Sequence, residues 1–204
     1  KNYVLVKTGL NTDHHVNFIV AAVDLKKNAD SYDSAMAIIN NLIISARKKR
    51  DYFIYCDDNY LAEAQRQKAV YAILDRELRL DSKQFQIVFQ PIYSIRDNKF
   101  IYAEALSRLN GTELGDIPPA EFVRIAESRG LIERLGNTVF EKICDFISKN
   151  KETVHAISVN FSVYQLVNPS VVPYVLDTIK KFGIKPENII IEITESIFVD
   201  DFDH

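Results

Sequence analysis

AISVNFS, residues 156–162, and NIIIEIT, residues 188–194, are the stretches whose reading decides the fold. Side chains alternate along a strand, so residues of equal parity share a face. In the first stretch Ile157, Val159 and Phe161, with His155 before them, form a bulky face, and Ala156, Ser158, Asn160 and Ser162 form the other. In the second, Ile189, Ile191 and Ile193 lie opposite Ile190, Glu192 and Thr194. Between the two, residues 170–182 read as a helix stopped by Gly183. Strand, helix and strand in that order make a unit of a parallel sheet.

Upstream, residues 85–95 and 99–109 read as two strands joined by a tight Arg96-Asp97-Asn98 turn, hence an antiparallel pair. By parity Glu104 and Arg108 share a face with Phe100, Tyr102 and Leu106, and Gln90 lies opposite Ile87 and Phe89. Helices are expected at 119–128 and 132–149. The pattern is α/β: the first half of a barrel or an open parallel sheet. Before residue 84 a strand at 16–24, an amphipathic helix at 33–49, a strand at 52–55 and a charged helix at 60–80 are expected. The organisation expected is a small α/β segment over 1–66, a linker helix over 67–83 and a partial domain over 84–204.

Composition is that of a soluble globular protein, with 47% hydrophobic and 26% charged residues. A net charge of -3 gives no basic footprint, so no nucleic-acid polymer is expected as a partner. Cys56 and Cys144 stand apart from any CxxC or Cys/His cluster, as in a reduced cytoplasmic protein. No stretch has the length and apolarity of a membrane span. The chain opens on Lys1 and closes on His204 just past a strand, so it reads as a piece of a longer protein.

In a parallel barrel the bulky faces pack under helices and the polar faces point inward, with the chemistry at the C-terminal strand ends. Glu104, Asn160 and Glu192 would then converge. Two carboxylates and a carboxamide oxygen form a hard, all-oxygen set suited to Mg²⁺ or Mn²⁺. The spacing leaves a second reading open, in which Glu104 is bridged to Arg108 and Glu192 helps to cap the next helix.

At these residues the chain resembles the EAL family of cyclic-di-GMP phosphodiesterases. The resemblance runs through FQPI (89–92), EALSR (104–108), PAEFVRIAESRGLI (119–132), VNFS (159–162) and EITES (192–196), in that order. It implies a modified (β/α)8 TIM-like barrel whose first strand runs antiparallel. It further implies that Glu104, Asn160 and Glu192 are metal ligands, with Glu104 central to catalysis. Arg108 would grip a substrate phosphate, Gln90 and Leu106 would lie on the substrate side, and Glu195 would support the ligands from behind. The implied reaction is metal-dependent hydrolysis of cyclic di-GMP to linear pGpG, with Mg²⁺ or Mn²⁺ as cofactor and a homodimer in the intact protein. Residues 1 to about 66 resemble the final third of a GGDEF domain without its signature, so no cyclase activity is implied.

The family's Asp-Asp pair, catalytic Lys, further Glu and late Gln are expected beyond His204. Asp200 and Asp201 spell DDF with Phe202 but follow Glu192 too closely, and read instead as the start of the next helix. This 204-residue piece is therefore expected to be inactive by itself. The Asp13-His14-His15 triplet reads as solvated surface. Two alternatives compete with the enzyme: an EAL domain that binds the nucleotide or a partner without hydrolysis, and an unrelated Mg²⁺-dependent barrel.

Overall fold

The computed structural model describes residues 18–25, 27–49, 51–80, 83–151 and 155–194. The chain divides into two compact units between Gln65 and Arg66.

In the first unit, β1 (Val20–Ala22), α1 (Tyr32–Lys49) and β2 (Phe53–Tyr55) form a strand-helix-strand unit. The two strands are parallel, with Val20 opposite Phe53 and Ala22 opposite Tyr55. Ala35, Leu42 and Ala46, spaced as one helical stripe, are the buried residues of α1. The first strand is shorter than expected because Asp24 begins a turn, its carbonyl accepting from Asn28 N–H at 2.7 Å. Residues 16 and 17 of the expected strand lie outside the described residues. The helix that follows β2, α2 (Asp58–Leu80), starts two residues earlier than its apolar pattern indicated, because the Asp57 carboxylate accepts from Tyr60 N–H at 2.7 Å.

The second unit is a mixed sheet with helices. β3 (Phe85–Ser94) and β4 (Lys99–Thr112) are antiparallel around a four-residue turn at 95–98, where Asn98 takes φ 54°. β4 outruns its expected end because β5 (Gly115–Ile117) folds back on it, with the Thr112 hydroxyl donating to Gly115 C=O at 2.6 Å. α3 (Pro119–Arg129) and α4 (Ile132–Lys149) lead to β6 (Ala156–Ser162). The short α5 (Val163–Leu166), α6 (Val171–Phe182), a 3-10 turn at Pro186–Asn188 and β7 (Ile189–Thr194) complete it. α6 ends where the sequence says it must: Gly183 sits at φ 59°, a left-handed position that favours glycine.

Strand order is β3-β4-β6-β7, with β4, β6 and β7 mutually parallel and β3 antiparallel beside them. The odd-numbered residues form the core: Phe85, Ala105, Leu109, Ile157, Val159 and Phe161 pack with Phe122 of α3 and Phe140, Ile143 and Ile147 of α4. Phe89 stacks on Phe146 at 4.1 Å, and Phe140 meets Phe161 edge-on at 6.0 Å. Val70, Leu74 and Leu78 of α2 join the same cluster. Arg76 then ties α2 to the β4–β5 turn, donating to Glu113 at 2.7 and 3.0 Å, and this contact holds the Glu113 carboxyl down at about 2. Cys56 and Cys144 are both free and buried, and burial pushes the Cys144 thiol up to about 12. No helix of the described residues is long and apolar enough to cross a membrane.

Phe140 is fully buried at the meeting point of sheet and helices, in ring contact with Phe161 and Tyr174. Phe140→Ala is expected to cost about 3–5 kcal/mol, read as a lower midpoint in urea unfolding with the slope unchanged.

Candidate active site

The register decides which polar side chains meet. Gln90 of β3 pairs with Glu104 of β4, and Glu104 pairs with Ser158 of β6. Two residues on from Ser158, and so on the same face, Asn160 pairs with Glu192 of β7. Gln90, Glu104, Asn160 and Glu192 thus lie on one face of four adjacent strands, opposite the face that packs on the helices. Asn160 Nδ2 donates to Glu104 Oε1 at 2.9 Å, joining the carboxylate and the carboxamide directly. Ser158, only 2% exposed, has no partner for its Oγ. Its ladder partner is Glu104, so this buried hydroxyl stands beside the polar pair rather than within an apolar cluster.

The oxygen chemistry fits a hard divalent cation: two anionic carboxylates, one on each side of a neutral amide whose Oδ1 is left over once Nδ2 is engaged. Among the described residues no group of three or more His, Cys, Asp or Glu side chains gathers at one point. The only donors that Glu104, Asn160 and Glu192 bring to this face are oxygens and an amide nitrogen, a set that does not suit soft, sulfur-preferring metals.

Arg108 shares the parity of Glu104 over a regular stretch of ladder, but four strand residues separate them by about 13 Å. The bridge that the spacing had left open does not form; Arg108 Nη1 instead donates to Ser107 C=O at 2.9 Å. Towards its start β4 is less regular: a register shift between Ile92 and Tyr93 places Phe100 opposite Tyr93 and Tyr102 opposite Ile92. Counting by twos therefore stops at Tyr102, and Phe100 cannot be assigned to the face of Glu104 by parity. Leu106 and Arg108 line a cavity of about 340 Å³ that Asn160, Ser162 and Gln165 also border. Glu195, the Asp200-Asp201 pair, the His14-His15 pair and the helix that Glu192 was expected to cap lie outside the described residues.

Sequence reasoning passed over one further cluster. Ser162 caps α5: its Oγ accepts from Tyr164 N–H at 3.3 Å, and its own N–H donates to Gln165 Oε1 at 3.0 Å. The Ser162 hydroxyl also donates to Glu127 Oε1 of α3 at 2.5 Å. The signal was present as S-x-x-Q, the capping-box spacing, directly after the strand.

With this geometry in hand, the comparisons with known proteins agree on one family. The EAL domain family matches residues 72–204. The chain belongs to the EAL family. MucR of Pseudomonas aeruginosa, a bifunctional diguanylate cyclase and cyclic di-GMP phosphodiesterase, is 28% identical over 73% of this chain and 22% of its own length. PdeI of Escherichia coli K12, a probable cyclic di-GMP phosphodiesterase, is 27% identical over 81% of this chain and 22% of its own. Among solved structures, the FimX EAL domain of P. aeruginosa bound to c-di-GMP superposes with a TM-score of 0.54 at 27% identity, covering 61% of this chain and 49% of that one. The chain thus spans less than a quarter of those curated relatives and about half of the solved domain. The fold is mixed α/β and like that of EAL domains.

The contact between Asn160 and Glu104 yields a test that needs no substrate. In Asn160→Asp, two carboxylates face each other, which raises the pair's folded pKa above its unfolded value. The folded state then binds more protons than the unfolded one, so stability falls as pH rises through the raised pKa. The variant should be about 1 kcal/mol less stable than the parent at pH 8, with the deficit closing towards pH 4 and also closing when millimolar Mg²⁺ is added. Equal unfolding midpoints at both pH values would refute the arrangement.

Proposed function

We propose that this chain is part of a metal-dependent phosphodiesterase that hydrolyses cyclic di-GMP to linear pGpG. The observation that carries the reading is the shared face of Glu104, Asn160 and Glu192, with Asn160 bonded to Glu104. Glu104, Asn160 and Glu192 hold Mg²⁺ or Mn²⁺, the two carboxylates balancing the divalent charge. When bound, the cation supplies an acidified water and a positive field for the phosphoryl oxygens. The water oxygen forms a new bond to phosphorus, one ribose–phosphorus ester bond breaks, and the proton ends on the leaving ribose oxygen. Arg108 offers a permanently charged planar fork to the phosphate. Gln90 and Leu106 line the substrate side, and Glu195 supports the ligands from behind.

In this reading residues 84–204 are the first half of a modified (β/α)8 barrel, with β3 as its antiparallel first strand. Residues 67–83 are the linker helix, and 1–66 the tail of a GGDEF-like domain. The intact protein acts in the cytoplasm as a homodimer, and the 204 residues alone lack turnover.

The experiment is hydrolysis of cyclic di-GMP by the full-length protein with Mg²⁺ or Mn²⁺. Glu104→Ala should lower kcat/KM by on the order of a thousandfold, the several kcal/mol that a metal's charge contributes, and chelation should do the same. Arg108→Lys should raise KM by about tenfold through loss of the bidentate contact. Tight nucleotide binding without turnover would assign the domain as a receptor instead, and indifference to the nucleotide would end both readings.

A further inference from the structure

β6 is held unevenly along its length. Its pairing with β4 ends at Ala105–Val159, while its pairing with β7 runs on to Ser162–Thr194. Asn160 therefore sits on the stretch that one neighbouring strand alone secures, and this is the side chain that reaches Glu104. A buried polar network takes over where the ladder stops. Ser162 is 5% exposed and Gln165 is 7% exposed. The Ser162 N–H, no longer a ladder donor, goes to Gln165 Oε1 at 3.0 Å, and the Ser162 hydroxyl goes to Glu127 Oε1 at 2.5 Å. Gln165 lies against α4 at Gly136, where an added Cβ would come 1.7 Å from Gln165 Nε2. Only a bare backbone at Gly136 lets the amide lie where it does.

We propose that Ser162, Gln165 and Glu127, with Gly136 as the seat for Gln165, are positioning residues for Asn160 and so set the affinity for the divalent cation. This rests on the reading of Glu104, Asn160 and Glu192 as cation ligands. Asn160 and Ser162 are about 7 Å apart along the strand, so a shift of the strand end passes directly to the carboxamide. A side chain that orients a metal ligand from behind typically changes metal affinity by about 10–100-fold when removed. The network links α3, α4 and α5 to the strand end that carries Asn160.

The test measures Mn²⁺ binding to the full-length protein without nucleotide, by electron paramagnetic resonance titration. Gln165→Met keeps the length and volume of the side chain but offers no acceptor to the Ser162 N–H. Gly136→Ala displaces the amide without changing its chemistry. Ile147→Val, in the core of α4 and fully buried, serves as a variant of reduced stability away from the network. The first two variants are expected to bind Mn²⁺ about tenfold more weakly than the parent, while Ile147→Val stays within about twofold despite its lower Tm. Parent-like affinity in both network variants, or equal weakening in Ile147→Val, would overturn the positioning role alone. A parent protein that binds no Mn²⁺ would overturn the ligand reading and this inference together.

Discussion

The parallel registration of β4, β6 and β7 is the constraint on which the molecule turns. Side-chain direction in a strand repeats every two residues, so slipping one strand by a single residue would send its polar set under the helices and its apolar set outward. Here the apolar side enforces the register. Ile157, Val159 and Phe161 of β6 are each at most 3% exposed and pack with Phe122, Phe140 and Ile147 from α3 and α4. Exposing even one of them costs about 1.5–3 kcal/mol, so the slip is forbidden by the core and not by the site. The functional face is determined by default, as whatever the core does not use.

That division explains how a costly arrangement is tolerated. Two carboxylates on one face of the sheet, on strands with one strand between them, repel each other. Between Glu104 and Glu192 the sequence places a neutral amide, Asn160, which donates to the Glu104 carboxylate and is paired in the ladder with Glu192. An aspartate at the same place would add charge without a donor. The Ser-Gln cap at the end of β6 serves the same end mechanically, since it satisfies backbone groups that the absent pairing with β4 would leave open.

Most of the second unit was legible in the sequence, because period and punctuation pointed the same way. Residues 132–149 and 156–162 were read at the bounds they adopt, one from helical spacing and one from alternation. The hairpin turn followed from its polar residues. What escaped reading had local or tertiary causes. β5 is three residues long and owes its existence to a side-chain contact, Thr112 on Gly115. The start of α2 was set by Asp57, a cap rather than an apolar position. The irregular register near Ile92 is invisible to parity, which assumes an unbroken pleat. At the site, parity placed Glu104, Asn160 and Glu192 on common faces strand by strand, but only register could align those faces across strands. The Ser162–Gln165 pair was legible as a capping box and went unread because it lies after a strand, where attention falls on the strand's own side chains.

The separation of Glu104 from Arg108 carries the last step. On a helix, residues four apart would touch and neutralise each other. On β4 they stand about 13 Å apart on one face, with Arg108 beside the cavity bordered by Leu106 and Asn160. Neither charge can cancel the other. The reading proposed for this site gives the acidic end a cation and the basic end an anion. A ligand that presents phosphate to Arg108 while a divalent metal sits at Glu104, Asn160 and Glu192 meets both demands at once. A neutral metabolite would leave the guanidinium unanswered, and a simple cation-binding module would have no use for it. The strand geometry, more than any single residue, thus supports the phosphate ester proposed as ligand of this face.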